Sequence, residues 1–288
     1  MEIRRKPEPY ALLFDAYYGT GGFGDGGYLV AHARELPEKL EGRKKIAYYL
    51  NYVAPVVNSH VDPVFSGEPQ RDWEESGTAA VLWGQFLEDC DTNGSTLRVF
   101  MKRAGLLAKL YGVVFLVMDN TPQPPVLRQQ AKDMRAFPYV YSVPPQSVSR
   151  LDVDSFGRIT RFDYTTGPDR KGSWSWTPEA WKATADGHER QGTNALGAVP
   201  VVPLFSRLPL DGTLFPMPEF FPIARANLRI YNLCSELDEI LRNQAFSILT
   251  YPDTEIADLT IGTNNALGYP GREIPSGAKP EFIAPPSD

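Results

Sequence analysis

The stretch Pro222 to Tyr251, PIARANLRIYNLCSELDEILRNQAFSILTY, limits what this chain can fold into more than any other. Its apolar residues Ile223, Ala226, Ile230, Leu233, Leu237, Ile240 and Leu241 recur at steps of three and four, which puts them on one face of a helix. Arg225, Arg229, Asn232, Glu236, Glu239 and Asn243 follow the same steps, so a second face is polar and mixed in charge. Pro222 suits a first turn, where its missing N–H is not needed, and Pro252 marks the far end. At about 1.5 Å per residue the pattern predicts a helix of roughly 40 Å, longer than the usual three or four turns. A helix of that length is a strut.

The chain before it changes period. Residues 1 to 40 read as irregular around the glycine-rich GTGGFGDGG, Gly19 to Gly27. A helix is expected from Arg43 to about Ala54, with Ile46, Leu50 and Val53 on one side, until Pro55 interrupts it. After a loop from Ser66 to Gly77, a short helix spans Ala79 to Glu88, and another starts after Ser95 or Thr96 and stops near Gly112. Then Val113 to Met118, a continuous apolar run, reads as a buried strand. Tyr139 to Val143 and Val148 to Asp152 are further strands, and Arg158 to Tyr164 pairs with the latter across the turn DSFG. Trp174 and Trp176 share a strand face, Thr177-Pro178 caps a short helix PEAWKAT, and Ala198 to Phe205 is an edge strand because it carries Pro200 and Pro203. The tail from Asp253 has little periodicity.

Helices, a compact β-rich insertion and a returning long helix make the expected class α+β. At 288 residues this is one large domain or two modules, and 42% hydrophobic with 22% charged residues is a globular composition. The net charge of -6 argues against tight gripping of phosphates, which needs clustered Lys and Arg. A protein that only surrounds DNA and lets it slide needs no such grip. Cys90 and Cys234, far apart in sequence, read as two reduced thiols of an intracellular protein. No run approaches 18 apolar residues and no leader-like segment opens the chain, so it reads as soluble and not membrane-spanning.

The motifs that carry chemistry are weak. Gly19, Gly21 and Gly24 form a G-x-G-x-x-G, but without the strand before and helix after that a dinucleotide site needs, and the bland reading is a flexible, intersubunit loop. Asp89, Asp91, Asn93 and Gly94 open like a calcium loop, yet its twelfth position is Phe100 where a bidentate Glu belongs. A polar turn between helices explains them better. His32, His60 and His188 lie in separate segments, and carboxylate pairs such as Glu74-Glu75 and Asp238-Glu239 read as solvated faces. No cofactor or metal site follows. Trp174, Trp176 and Trp181 are either a stacking platform or local core, and core is the commoner outcome.

Several stretches taken in order resemble the phage portal family of tailed phages and prophages. They are GGYLVAHARELPEKLEGRKKIAYYLNYVAPVVNSHVDPVF, WGQFLEDCDTNGSTLRVFMKRAGLLAKLYGVVFLVMD, FPYVYSVPPQSVSRLDVDSFGRITRFDY and PEFFPIARANLRIYNLCSELDEILRNQAF. The resemblance implies the phage portal fold: residues 1–96 in the wing, 97–111 as the first stem helix, 112–218 as the α/β clip, 219–250 as the second stem helix and 251–288 returning to the wing. It implies that the tunnel-loop helix and crown are missing, the chain being C-terminally truncated. It also implies a homo-oligomeric ring, commonly of twelve copies, in the virion at one capsid vertex, assembled in the host cytoplasm. Double-stranded DNA passes through the channel without sequence specificity. The terminase large subunit and later head-completion, adaptor or tail proteins dock on the clip, and capsid and scaffold proteins are further partners.

On that expectation Arg225, Arg229, Asn232, Glu236, Glu239 and Asn243 face the channel or a neighbouring subunit, and Trp174, Trp176 and Trp181 belong to the clip. The apolar stripe then packs on the other stem helix and the wing. The chain is expected to be no enzyme. The rivals are an enzyme using buried carboxylates, and a carbohydrate-binding or adhesion module built on the tryptophan-bearing β region.

Overall fold

The computed structural model describes residues 9–33, 35–71, 78–120, 137–167, 171–185, 187–244, 248–253, 267–270 and 281–283. The chain is α+β and divides into two compact units, Met1–Thr20 with Asn51–Asn227, and Gly21–Leu50 with Leu228–Asp288.

The first unit is organised on β1 (Val113–Asp119), whose sequence VVFLVMD is apolar at consecutive positions because both its faces are covered. Its antiparallel neighbours are β2 (Tyr139–Val143) and β8 (Val201–Phe205), in the order β2-β1-β8. Pro203 therefore sits on an edge strand, where a missing ladder donor is tolerated.

Val113, Phe115 and Val117 pack on a five-stranded antiparallel meander. Its strands are β3 (Val148–Val153), β4 (Ile159–Thr166), β5 (Gly172–Trp176), β6 (Ala180–Ala185) and β7 (His188–Thr193). The Phe115 and Phe162 rings lie 5.2 Å apart at the centre of that core, with Val143, Leu151, Tyr164 and Trp176 buried around them. Val114 faces the other way, onto α5 (Leu97–Tyr111), which presents Phe100, Ala104 and Ala108 at four-residue steps. Two alanines on that face let the helix lie close to the sheet. The Thr96 side chain caps α5 by accepting the Val99 N–H at 3.3 Å.

Around α5 lie α1 (Tyr10–Tyr18) and α3 (Val53–Val61), burying Tyr10, Leu13 and Ala16 and Val53, Val57 and Val61. The Tyr10 and Tyr111 rings meet edge to face at 5.9 Å, and the Tyr17 hydroxyl donates to Asn58 Oδ1 at 2.8 Å. α4 (Thr78–Glu88) precedes α5 as its periodicity predicts.

The second unit contains α2 (Pro37–Ile46) and the small sheet β10-β9-β11, from β9 (Ile248–Asp253), β10 (Leu267–Pro270) and β11 (Glu281–Ile283). The long helix is α6 (Phe221–Gln244), whose residues belong to the first unit up to Asn227 and to the second from Leu228.

Several sequence expectations are corrected here. The N-terminal segment is not irregular, since α1 buries residues spaced by three. No helix runs from Arg43 to Ala54: α2 ends at Ile46 and α3 begins at Val53, so Pro55 falls in a first turn, where it breaks no hydrogen bond. PEAWKAT is not a helix but a hairpin turn followed by β6. Thr177 Oγ1 accepts the Ala180 N–H at 3.1 Å, and Trp181 pairs across the strands with Trp176. The long helix, described to Gln244, does not continue to Tyr251, because the β-favouring run ILTYPD forms β9 instead. β7 reads HERQGT, with no apolar alternation, and periodicity gave no sign of it. The Glu74-Glu75 pair and most of the tail after Asp253 lie outside the described residues.

Between α5 and β1 the chain reverses at Gly112, with φ +83°. A Cβ there would stand 3.2 Å from the Pro216 carbonyl oxygen. Gly112→Ala is expected to lower stability by about 1–2 kcal/mol through the left-handed backbone alone. Urea unfolding followed by tryptophan fluorescence measures this, and an unchanged midpoint would contradict the strain assigned to the turn.

Candidate functional site

The face that α6 buries is not its apolar one. Ala224, Asn227, Tyr231 and Ser235 are the buried positions, at steps of three and four. In the first unit the Asn227 Oδ1 accepts the Tyr52 N–H at 3.0 Å. In the second, Asn232 accepts the Val30 N–H at 2.8 Å and donates to the Tyr28 carbonyl at 3.0 Å. The Tyr231 hydroxyl donates to the Phe23 carbonyl at 3.3 Å, and its ring packs against those of Phe23 and Tyr49. Asn227 satisfies the Tyr52 N–H, and Tyr231 and Asn232 satisfy backbone groups of the 23–30 loop, all of which a leucine would leave unpaired.

Arg43 closes this seam. Its Nε donates to Ser235 Oγ at 3.1 Å and its Nη1 donates to both Glu35 carboxylate oxygens at 2.8 and 2.9 Å. The arginine side chain is 2% exposed and that of Glu35 8%. Burial pushes the Glu35 carboxyl up, but the hydrogen bonds from Arg43 and the His32 N–H outweigh it and hold its pKa below the ordinary carboxylate value.

The consequence is that the predicted inward stripe faces out. Ile230, Leu233, Leu237, Ile240 and Leu241 are each between 38% and 54% exposed. Arg225 lies over the Phe221 ring at 6.0 Å, and Glu239 approaches Lys39 at 3.9 Å. Arg229 and Glu236 are exposed and make no ion pair among the described residues. Asn232 is taken up inside its own chain rather than facing outward, while the side chain of Asn243 lies outside the described residues.

The three tryptophans do meet, and they divide between core and surface. Trp176 is 4% exposed and belongs to the core, whereas Trp174 and Trp181 are half-buried. All three line a cleft of about 620 Å³ bounded also by Asp119, Tyr139 and Arg190. The Trp181 indole lies on the backbone of Gly192, where a Cβ would come 2.7 Å from the indole nitrogen. Asp119 accepts the Tyr139 hydroxyl at 3.0 Å and the Asn120 N–H at 2.7 Å, yet burial raises its pKa above the ordinary value. Burial and the adjacent Asp119 raise that of Tyr139 as well. Nothing in the sequence ties Asp119 or Arg190 to the tryptophans, because they come from strands far apart in the chain.

The remaining motifs resolve into structure. Asp91 Oδ1 accepts the Asn93 and Ser95 N–H groups and Asp89 Oδ1 that of Gly94, so the calcium-like segment is a capped turn. Among the described residues no group of three His, Cys, Asp or Glu side chains is arranged to hold a metal ion. The glycine run is a built element and not a flexible loop: Gly21–Phe23 is a 3-10 turn, and Phe23 is buried against Tyr49 with ring centroids 4.1 Å apart. Cys90 is buried, Cys234 is half-buried, and both are free thiols. No helix among the described residues is long and apolar enough to cross a membrane. No protein-family model matches the chain, and no curated protein matches it in sequence.

Because Glu35 titrates lower in the folded chain than in the unfolded, the stability it contributes is complete above pH about 4.5 and is lost as pH falls through the lowered value. Hydrogen exchange of α2 and α6 amides across that range is expected to show this loss. Glu35→Gln is expected to remove the slope and to cost about 3–5 kcal/mol at neutral pH by leaving Arg43 buried without its carboxylate. An unchanged acid slope in the variant would show that Glu35 is not the titrating group.

Proposed function

We propose that the chain is a subunit of a phage portal ring, the conduit for double-stranded DNA at one capsid vertex, with no catalysis of its own. The observation that carries this reading is the exposed apolar stripe of α6. Large aliphatic side chains repeated along one helix face are costly to leave in water, and each is worth about 1.5–3 kcal/mol when buried. A neighbouring copy supplies the cover. In a closed ring the same stripe meets a different patch of the next copy all the way round, so no stripe is left over. Arg229 and Glu236, which make no ion pair among the described residues, lie along the same helix and suit pairing between copies.

The order of elements supports the same reading. α5 leads into the β-rich segment from β1 to β8, and α6 returns from it, the order expected of stem, clip and stem. The clip is then the place where terminase and afterwards head-completion and tail proteins dock, with capsid and scaffold proteins around the ring. A net charge of -6 suits a lumen through which DNA slides without being gripped.

Light scattering of the purified chain, with negative-stain images of the same fraction, tests the proposal. The expected result is annular particles with a mass near twelve times 32.1 kDa. Replacing Leu233 and Leu237 together by Glu is expected to give monomers that keep the far-ultraviolet dichroism of the parent, because both side chains are already exposed. A wild-type chain that remains monomeric at every concentration removes the ring, and a double variant that still forms rings removes the stripe from its interface.

A further inference from the structure

We propose that the cleft bounded by Trp174, Trp181, Asp119, Tyr139 and Arg190 is a binding site for a neutral saccharide of one or two hexose-class rings. This goes beyond the ring assembly and does not depend on it. The cleft's volume, about 620 Å³, falls in the range that holds small ligands. Its walls combine half-buried indoles with Ala183 and Leu196, apolar surface of the kind that the C–H faces of a pyranose ring cover.

The polar groups decide the class of ligand. Asp119 is an acceptor on the β1 side, and each of its oxygens has a lone pair beyond the bond it already accepts. Arg190 on β7 is exposed and makes no ion pair among the described residues, so its guanidinium donors are free. One acceptor and one donor cluster of opposite charge suit hydroxyls, which both donate and accept. A phosphate in the same cleft would meet the Asp119 carboxylate, and a cation would meet Arg190. The platform is also set in advance: Trp181 is seated on Gly192, leaving less side-chain freedom to be lost on binding.

The test is a titration of the purified chain with glucose, galactose, N-acetylglucosamine and their disaccharides. It is read by tryptophan fluorescence and by saturation transfer from protein to sugar protons. At least one sugar is expected to bind with a millimolar or lower dissociation constant, with transfer strongest at its ring C–H protons. Arg190→Ala, at an exposed position, and Gly192→Ala, which displaces the indole, are each expected to weaken binding by about tenfold or more, the loss of one charged hydrogen bond or one preset contact. Lys182→Ala, on the opposite face of β6, is expected to bind as the parent does. The proposal is overturned if no sugar in the panel binds at tens of millimolar, or if the affinity is unchanged in both cleft variants. It is equally overturned if adenosine occupies the cleft and no sugar displaces it.

Discussion

A buried guanidinium holds the second unit together. Arg43 reaches from α2 to Ser235 on α6 while Glu35 neutralises it, and the neighbouring turns of α6 carry Tyr231 and Asn232 to the loop backbone. Such a seam is directional, since Ser235, Tyr231 and Asn232 each meet a named partner at one height along the helix. It fixes the rotation of α6 about its own axis more strictly than a greasy stripe does, because leucines slide and hydrogen bonds do not. Once that rotation is set, the leucines have only one place to go. The outward stripe is thus a by-product of which residues secure the inward face.

The pattern of the sequence carries the elements well wherever burial is one-sided or complete. β1 is visible as an unbroken apolar run because both faces are covered, and α5 is visible from its threonine cap to its terminal glycine. Burial direction in α6 was not legible, although the periodicity was. Hydropathy ranks Asn227, Asn232 and Ser235 as surface residues, and their inward use depends on the Tyr52 N–H, the Val30 N–H and the Arg43 guanidinium, groups that the chain brings up from 175 to 202 positions away. The same holds for the aromatic cleft. Trp174 and Trp176 on alternate positions announce a strand face, but the helix signal in PEAWKAT hid the pairing of Trp181 with Trp176. Thr177 followed by proline caps a hairpin turn here as readily as a helix.

The tryptophan region shows how one sheet face serves two ends. Toward β4 it is sealed against β1 by Phe115 and Phe162, and toward β7 the cover thins and the indoles meet a cleft instead. Trp176 lies at the boundary, core on one side and cleft wall on the other. A rigid floor of this kind lets neighbouring polar residues change without disturbing the packing beneath them.

The strand order has a bearing on how the chain is made. β4 to β7 each pair with the strand just synthesised, so the meander assembles from local segments. β1 emerges earlier but has to wait for β8, whose Val201 pairs with Val117 only after the whole meander has been made. At synthesis rates of roughly 5–20 residues per second, the apolar edge of β1 stays open for on the order of several seconds on the ribosome. Through that interval the nascent chain is at its most exposed to holdase chaperones and to its own sister chains on the same messenger.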